Sequence, residues 1–241
     1  MTRQVILRVW VADSPGSLGQ LASRIGELGC DLVGIDILER EGARAVDELT
    51  VELADGVSPD SLVDAVSALH GVEVEDLRHL VSRVPNNGRD PMEAAVLLAE
   101  SRQPIDLLQV LVRGACTAFA CDWSAALDVS GRSATVLAVA GETPSAGWLG
   151  AFIAGVKACL PSWSAHGVAL VGPRDVAWSA LDSSDLVLVV GRDGPPFRGR
   201  ERRQLQQLCR IADARWSDLV RNARESEPAR EQSGNRRLVA S

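Results

Sequence analysis

The stretch Asp13-Ser14-Pro15-Gly16-Ser17-Leu18 holds the residues of this chain best suited to chemistry. It falls between a run that reads as a strand, Val5 to Val11, and one that reads as an amphipathic helix, Leu18 to Leu28. Pro15 suits a first helical position, where no N–H is needed. Asp13 or Ser14 suits the N-cap. Gly16 lacks a Cβ, so its backbone can come close to a ligand or another chain. Helix N–H groups would meet a carboxylate and Asp13 an ammonium, so the stretch can hold a zwitterion. The other reading of the same residues is an ordinary capped helix.

Reactive constellations are absent elsewhere. The three histidines, His70, His79 and His166, are scattered. No metalloprotease, phosphate-loop, nucleophile-elbow or dinucleotide motif occurs. The five cysteines, Cys30, Cys116, Cys121, Cys159 and Cys209, form no C-x-x-C pair. They read as small buried hydrophobes. No catalytic residue, metal or cofactor is expected, and the chain is expected not to be an enzyme.

The elements that must position the stretch follow from periodicity. Val5, Leu7, Val9 and Val11 alternate with Ile6, Arg8 and Trp10, which marks a strand. Leu18, Leu21, Ala22, Ile25 and Leu28 fall at helical spacing, with Gly29 as the stop. Gly19 and Gly26 weaken this helix and are expected to pack closely. Val33, Ile35 and Ile37 give a second strand, and Asp47, Leu49, Val51 and Leu53 a third. Ser58-Pro59 opens a helix, and Val72, Val74 and Leu77 suggest a fourth strand. The order β-α-β-β-α-β is the ferredoxin-like arrangement, with both helices on one face of an antiparallel sheet. The other face would carry Ile6, Arg8, Trp10, Gly34, Asp36 and Leu38.

Residues 5 to 80 resemble an ACT domain, a small-molecule-binding module. Asp13-Ser14-Pro15-Gly16-Ser17-Leu18 resembles that family's D/N-x-P-G-x-L loop. Ile25-Gly26-Glu27-Leu28-Gly29-Cys30-Asp31-Leu32 resembles its passage into the second strand. The resemblance implies paired domains, with an amino acid bound between the loop of one and the second strand of the other. It implies a ligand site of Val11, Asp13, Ser14, Pro15, Gly16, Ser17, Leu18 and Asp31. Asp stands at 13 and 31, where amino-acid-binding members often have Asn. An ionised Asp accepts from an ammonium but cannot donate to a carboxylate, which favours a cationic or polar ligand or an empty site.

Ser82 to Asp90 reads as a linker. From Pro91 the pattern is two helices, strands at 123–129 and 133–140, and a helix near 148–160. A short strand at 168–171, a hairpin over 176–190 and a long helix over 200–221 follow. The order is α+β. Residues 91–222 are similar to a small GAF domain, most clearly over Val187 to Trp216, which implies a pocket above the sheet and dimerisation through terminal helices. Trp123, Trp148, Trp163 and Trp178 could line a cavity or fill the core. Arg198, Arg200, Arg202, Arg203 and Arg210 read as a solvated helix face or an anion site. Residues 223–241 are polar and read as disordered. Free methionine sulfoxide reductases use cysteines in a GAF fold, but the cysteine spacing here does not resemble theirs.

The 241 residues therefore read as an ACT-like domain (1–81), a linker (82–90), a GAF-like domain (91–222) and a tail (223–241). The net charge of −7 argues against nucleic acid or an anionic membrane as partner. With no apolar run of membrane-spanning length and no signal-peptide core, the expectation is a cytoplasmic protein, and the resemblance implies a homodimer. The expected function is sensing an amino acid or similar small metabolite. The alternatives are a regulatory subunit that oligomerises without binding, and a thiol redox enzyme.

Overall fold

The computed structural model describes residues 3–79, 91–159 and 175–226. They form two compact units. One is residues 3–79 with Gly194–Glu201, the other residues 91–159 and 175–193 with 202–226. Together they hold six helices and two antiparallel four-stranded sheets, an α+β fold. The linker, the strand expected at 168–171, Trp163, His166, the Cys159 side chain and the tail past Ser226 lie outside the described residues.

The first unit runs β1 (Arg3–Ala12), α1 (Ser17–Glu27), β2 (Asp31–Glu41), β3 (Arg44–Leu53), α2 (Pro59–Ser67) and β4 (Glu73–His79). Its sheet order is β2-β3-β1-β4, the ferredoxin-like arrangement. One face of β1 buries Val5, Leu7, Val9 and Val11 against Leu21 and Ile25 of α1 and Leu62 and Val66 of α2. The alternation read from sequence is the alternation of the pleat. Ser58 caps α2 as expected, its hydroxyl accepting from the Ser61 amide at 3.1 Å. Gly19 and Gly26 do not pack closely. A Cβ at either would meet nothing within 4 Å, so their cost to α1 has no packing return.

The opposite face of this sheet is covered by Gly194–Glu201. Arg8 is 1% exposed and donates to Glu48 at 2.7 Å, to Glu201 at 3.4 Å and to the Pro196 carbonyl at 3.3 Å. Burial opposes its charge, but Glu201 and Glu48 outweigh that and raise its pKa. Arg198 pairs with Glu75 and with Glu39, and its guanidinium lies 4.7 Å from the centre of the Trp10 ring. Arg198 and Arg202 are buried, which corrects the expectation of a solvated helix face for these two, while Arg203 and Arg210 are exposed. A helix turn facing acids carried by β1–β4 cannot be told from a solvent-facing one by local spacing.

The second unit holds α3 (Pro91–Glu100), α4 (Pro104–Ala118), β5 (Trp123–Asp128), β6 (Thr135–Gly141), α5 (Ala146–Cys159), β7 (Val176–Leu181), β8 (Leu186–Gly191) and α6 (Gly199–Ser226). The sheet order is β6-β5-β8-β7. The continuously apolar β8 is a central strand, buried along its length. Ala125, Leu127, Val187 and Val189 pack against Leu149 and Ile153 of α5, with Trp123 and Trp178 at the margin. Those two tryptophans fill core rather than line a cavity. Trp148, 40% exposed, stacks on Phe152. On the other face α4 lies against β5 and β6, and the Ser124 hydroxyl donates to the Val112 carbonyl at 2.7 Å. Leu205, Leu208, Cys209 and Ala212 form the buried stripe of α6.

Candidate functional site

β1 delivers the chain to Asp13, whose amide donates to the Ala43 carbonyl at 2.8 Å and fixes the start of the loop. Ser14 to Ser17 is a β-turn closed by the Ser17 amide on the Ser14 carbonyl at 3.2 Å. Pro15 is its second residue and Gly16, at φ 94 and ψ −15, its third. Proline followed by a positive-φ glycine is what a type II turn requires. This corrects the reading of Pro15 as the first helical residue. Gly16 is the N-cap of α1, and no side chain caps it, so neither Asp13 nor Ser14 plays that part. The Ser14 hydroxyl instead meets the Ser17 hydroxyl at 2.8 Å.

The other residues proposed for the site fall into three places. Val11 is buried in the core. Leu18 is half-buried against the same core. Asp31 stands at the far end of the sheet. It pairs with Glu52 on β3, whereas Asp13 is held beside Ala43 at the other end. Eight residues of strand separate Arg44 from Glu52, roughly 26 Å at the rise of a strand. A single copy of the chain does not bring Asp13 and Asp31 together.

What does approach Asp13 is Arg40 of β2, whose Nε is 3.7 Å from Oδ2. Behind them lies Asp47 of β3, 1% exposed, on the helix-facing side of the sheet between Val9 of β1 and Ile37 of β2. Burial and the nearby Asp13 charge push the Asp47 carboxyl above the ordinary aspartate range, against the pull of Arg40. Asp47 and Arg40 were not among the expected site residues. One signal was available, since Asp47 opens the alternating row Asp47, Leu49, Val51, Leu53, an acid at a core position.

β2 is an edge strand. Val33, Ile35 and Ile37 alternate along it with 47, 44 and 39% of their surface exposed. In the second unit a cleft of about 360 Å³ lies between the β5–β6 turn and α5, lined by Arg132, Ser133, Gly147, Gly150 and Lys157 among others. The Lys157 ammonium donates to the Val129 carbonyl at 2.8 Å. Burial raises the Cys116 thiol, and it pushes Cys209 up to about 12, the reverse of what a thiolate nucleophile needs. Among the described residues no helix is long and apolar enough to cross a membrane.

No family model matches the chain. Of the curated proteins, NAD-dependent malic enzyme from Geobacillus stearothermophilus is similar, 25% identical over 194 residues. That similarity covers 76% of this chain and 39% of the enzyme, so the chain spans about two fifths of the length of its curated relative. The match to an enzyme overturns the expectation that the chain is not one. Of the solved structures, a GAF domain from Pseudomonas syringae pv. tomato overlaps 58% of this chain and 89% of its own, with 16% identity and a TM-score of 0.35. An unknown protein from Galdieria sulphuraria overlaps 42% of this chain and 65% of its own, with 14% identity and a TM-score of 0.30. Both overlaps are loose, and the α+β architecture rests on the chain's own sheets and helices.

Proposed function

We propose that the first unit is a small-metabolite-sensing regulatory module that works as a pair of copies. The ligand is an amino acid or a similar polar metabolite. It is taken where Asp13 to Leu18 of one copy meets Asp31 of the other. The observation that carries this reading is the β2 edge. An exposed apolar strand edge invites another strand. Val33, Ile35 and Ile37 put apolar side chains at alternate positions of that edge, and a two-fold contact sets this same patch of each copy against the other. Antiparallel pairing about Ile35 sets Val33 opposite Ile37 and Asp31 opposite Glu39. Asp31 then arrives at the end of β2 that carries Arg40, the residue that touches Asp13. The ferredoxin-like strand order and the resemblance of the loop to that of ACT domains support the same reading. The partial match to an enzyme supports a module that serves a catalytic step.

A second reading, pairing without ligand, draws on the Asp13–Arg40 contact, which gives the loop's acid a partner inside the chain. Light scattering and thermal-shift screening against the amino acids decide between them. The expected result is a dimer that Ile35→Arg splits, with at least one amino acid raising Tm of the dimer only. A dimer unmoved by every amino acid and polar metabolite tested selects the second reading. A wild-type chain that stays monomeric across the micromolar range overturns both.

A further inference from the structure

We infer that Asp47 is the amine-recognising group of this site, so that its ligands carry a protonated primary amine beside a carboxylate. The inference rests on the ligand-binding reading above and adds to it a residue and a chemical class. Asp47 is 1% exposed, and its Oδ1 is buried with no hydrogen-bond partner among the described residues. A buried polar oxygen without a donor is rare and costly, and in a native structure it calls for a missing partner. The residues opposite it, Val9 and Ile37, offer only apolar side chains. The charged groups whose fields act on it are Asp13 and Arg40, and the Arg40 guanidinium is turned to Asp13.

The one guanidinium near these two carboxyls is thus paired with Asp13, and Asp47 is left without a donor on Oδ1. The group that completes this set carries one positive charge and several N–H donors and is small enough to enter beside a β strand. A primary ammonium meets each condition. Its donors serve Asp47 and Asp13, and Arg40 is released to take a carboxylate. The side chain of Arg40 is 62% exposed and can leave Asp13 without disturbing the core. Ile37, 39% exposed on the edge strand, is the apolar neighbour of Asp47 on the β2 side.

The test uses the full chain, calorimetry and the twenty L-amino acids. The amino acid that binds most tightly is then compared with the amine left by removing its carboxylate and the acid left by removing its amino group. For valine these are isobutylamine and isovalerate. The expected result is that the amine keeps measurable affinity, the acid has none, and Asp47→Asn weakens the amino acid at least tenfold. Asp47→Ser, checked with Asp47→Asn for native circular dichroism and unchanged oligomeric state, should weaken it as much. Binding within twofold of wild type in either folded variant, or equal binding of the acid, overturns the role of Asp47 and leaves the proposed function standing. Failure of every amino acid and amine to bind the wild-type chain overturns the proposed function, and this inference with it.

Discussion

A carboxyl group shielded from water is held neutral or held by a partner, and Asp47 has too few donors for the second. Its raised pKa has a consequence for stability. In the unfolded chain it releases its proton near the ordinary value of about 3.9, while in the folded chain it keeps it to higher pH. The folded state therefore loses stability as pH rises from the unfolded value through the folded one. Asp47→Asn, which has no proton to release, escapes that loss. Urea titrations should show the variant gaining on wild type as pH is raised from 3 to 7, and an unchanging gap would contradict it. Cys209, fully buried and pushed up to about 12, should resist iodoacetamide at pH 8 in the native chain and react once urea unfolds it, as read by mass spectrometry. At this scale the sequence showed the oddity of Asp47, an acid in an apolar row. It could not show its isolation, because that depends on Val9 and Ile37 from two other strands.

The elements were legible where one signal governs them. Pleat alternation placed β1 and β3, and Ser58-Pro59 started α2 where the structure starts it. Pro15-Gly16 was misread because proline serves two local structures equally, the first turn of a helix and the second position of a β-turn. Gly16 decides between them, since its φ of 94 belongs to the turn. The exposed glycines of α1 give a direct test. Gly19→Ala and Gly26→Ala should each stabilise the unit by about 1 kcal/mol in urea denaturation, because nothing crowds the added methyl. A loss of stability in the monomeric protein would show a hidden contact there. Arg8 is the opposite case. Arg8→Ala leaves Glu201 without that guanidinium and Glu48 with Arg78 alone, and should cost about 3 kcal/mol. A cost below 1 kcal/mol in the same assay would mean that the network is solvated.

Across the whole chain, both four-stranded sheets and their helices were readable from period and punctuation, and the α+β class followed. The cover of the first sheet was not. Arg198 and Glu75 are 123 residues apart, and no local pattern couples them. Of the acids that receive Arg198 and Arg200, Glu39, Glu75 and Asp36, only Asp36 was placed on that face by the alternation. The expectation of a non-enzyme failed for a different reason. It rested on missing motifs, and a match to 39% of an enzyme shows how little their absence in one stretch says about the whole. A fragment ending at residue 85 lacks Gly194–Glu201 and bares Arg8 and Trp10. Calorimetry should find its transition below that of the same unit in the intact chain, and an equal Tm would show that the cover adds nothing.

The sheet formed by β1–β4 is complete in sequence by His79, yet the residues that close over its outer face are near position 200. A ribosome adds about 5–20 residues per second. The newborn sheet therefore waits on the order of ten seconds, with Trp10 and an arginine held by Glu48 alone facing solvent, before its own chain can shield them. During synthesis that interval is when the polypeptide is most open to chaperones, to proteases and to its neighbours on the polysome.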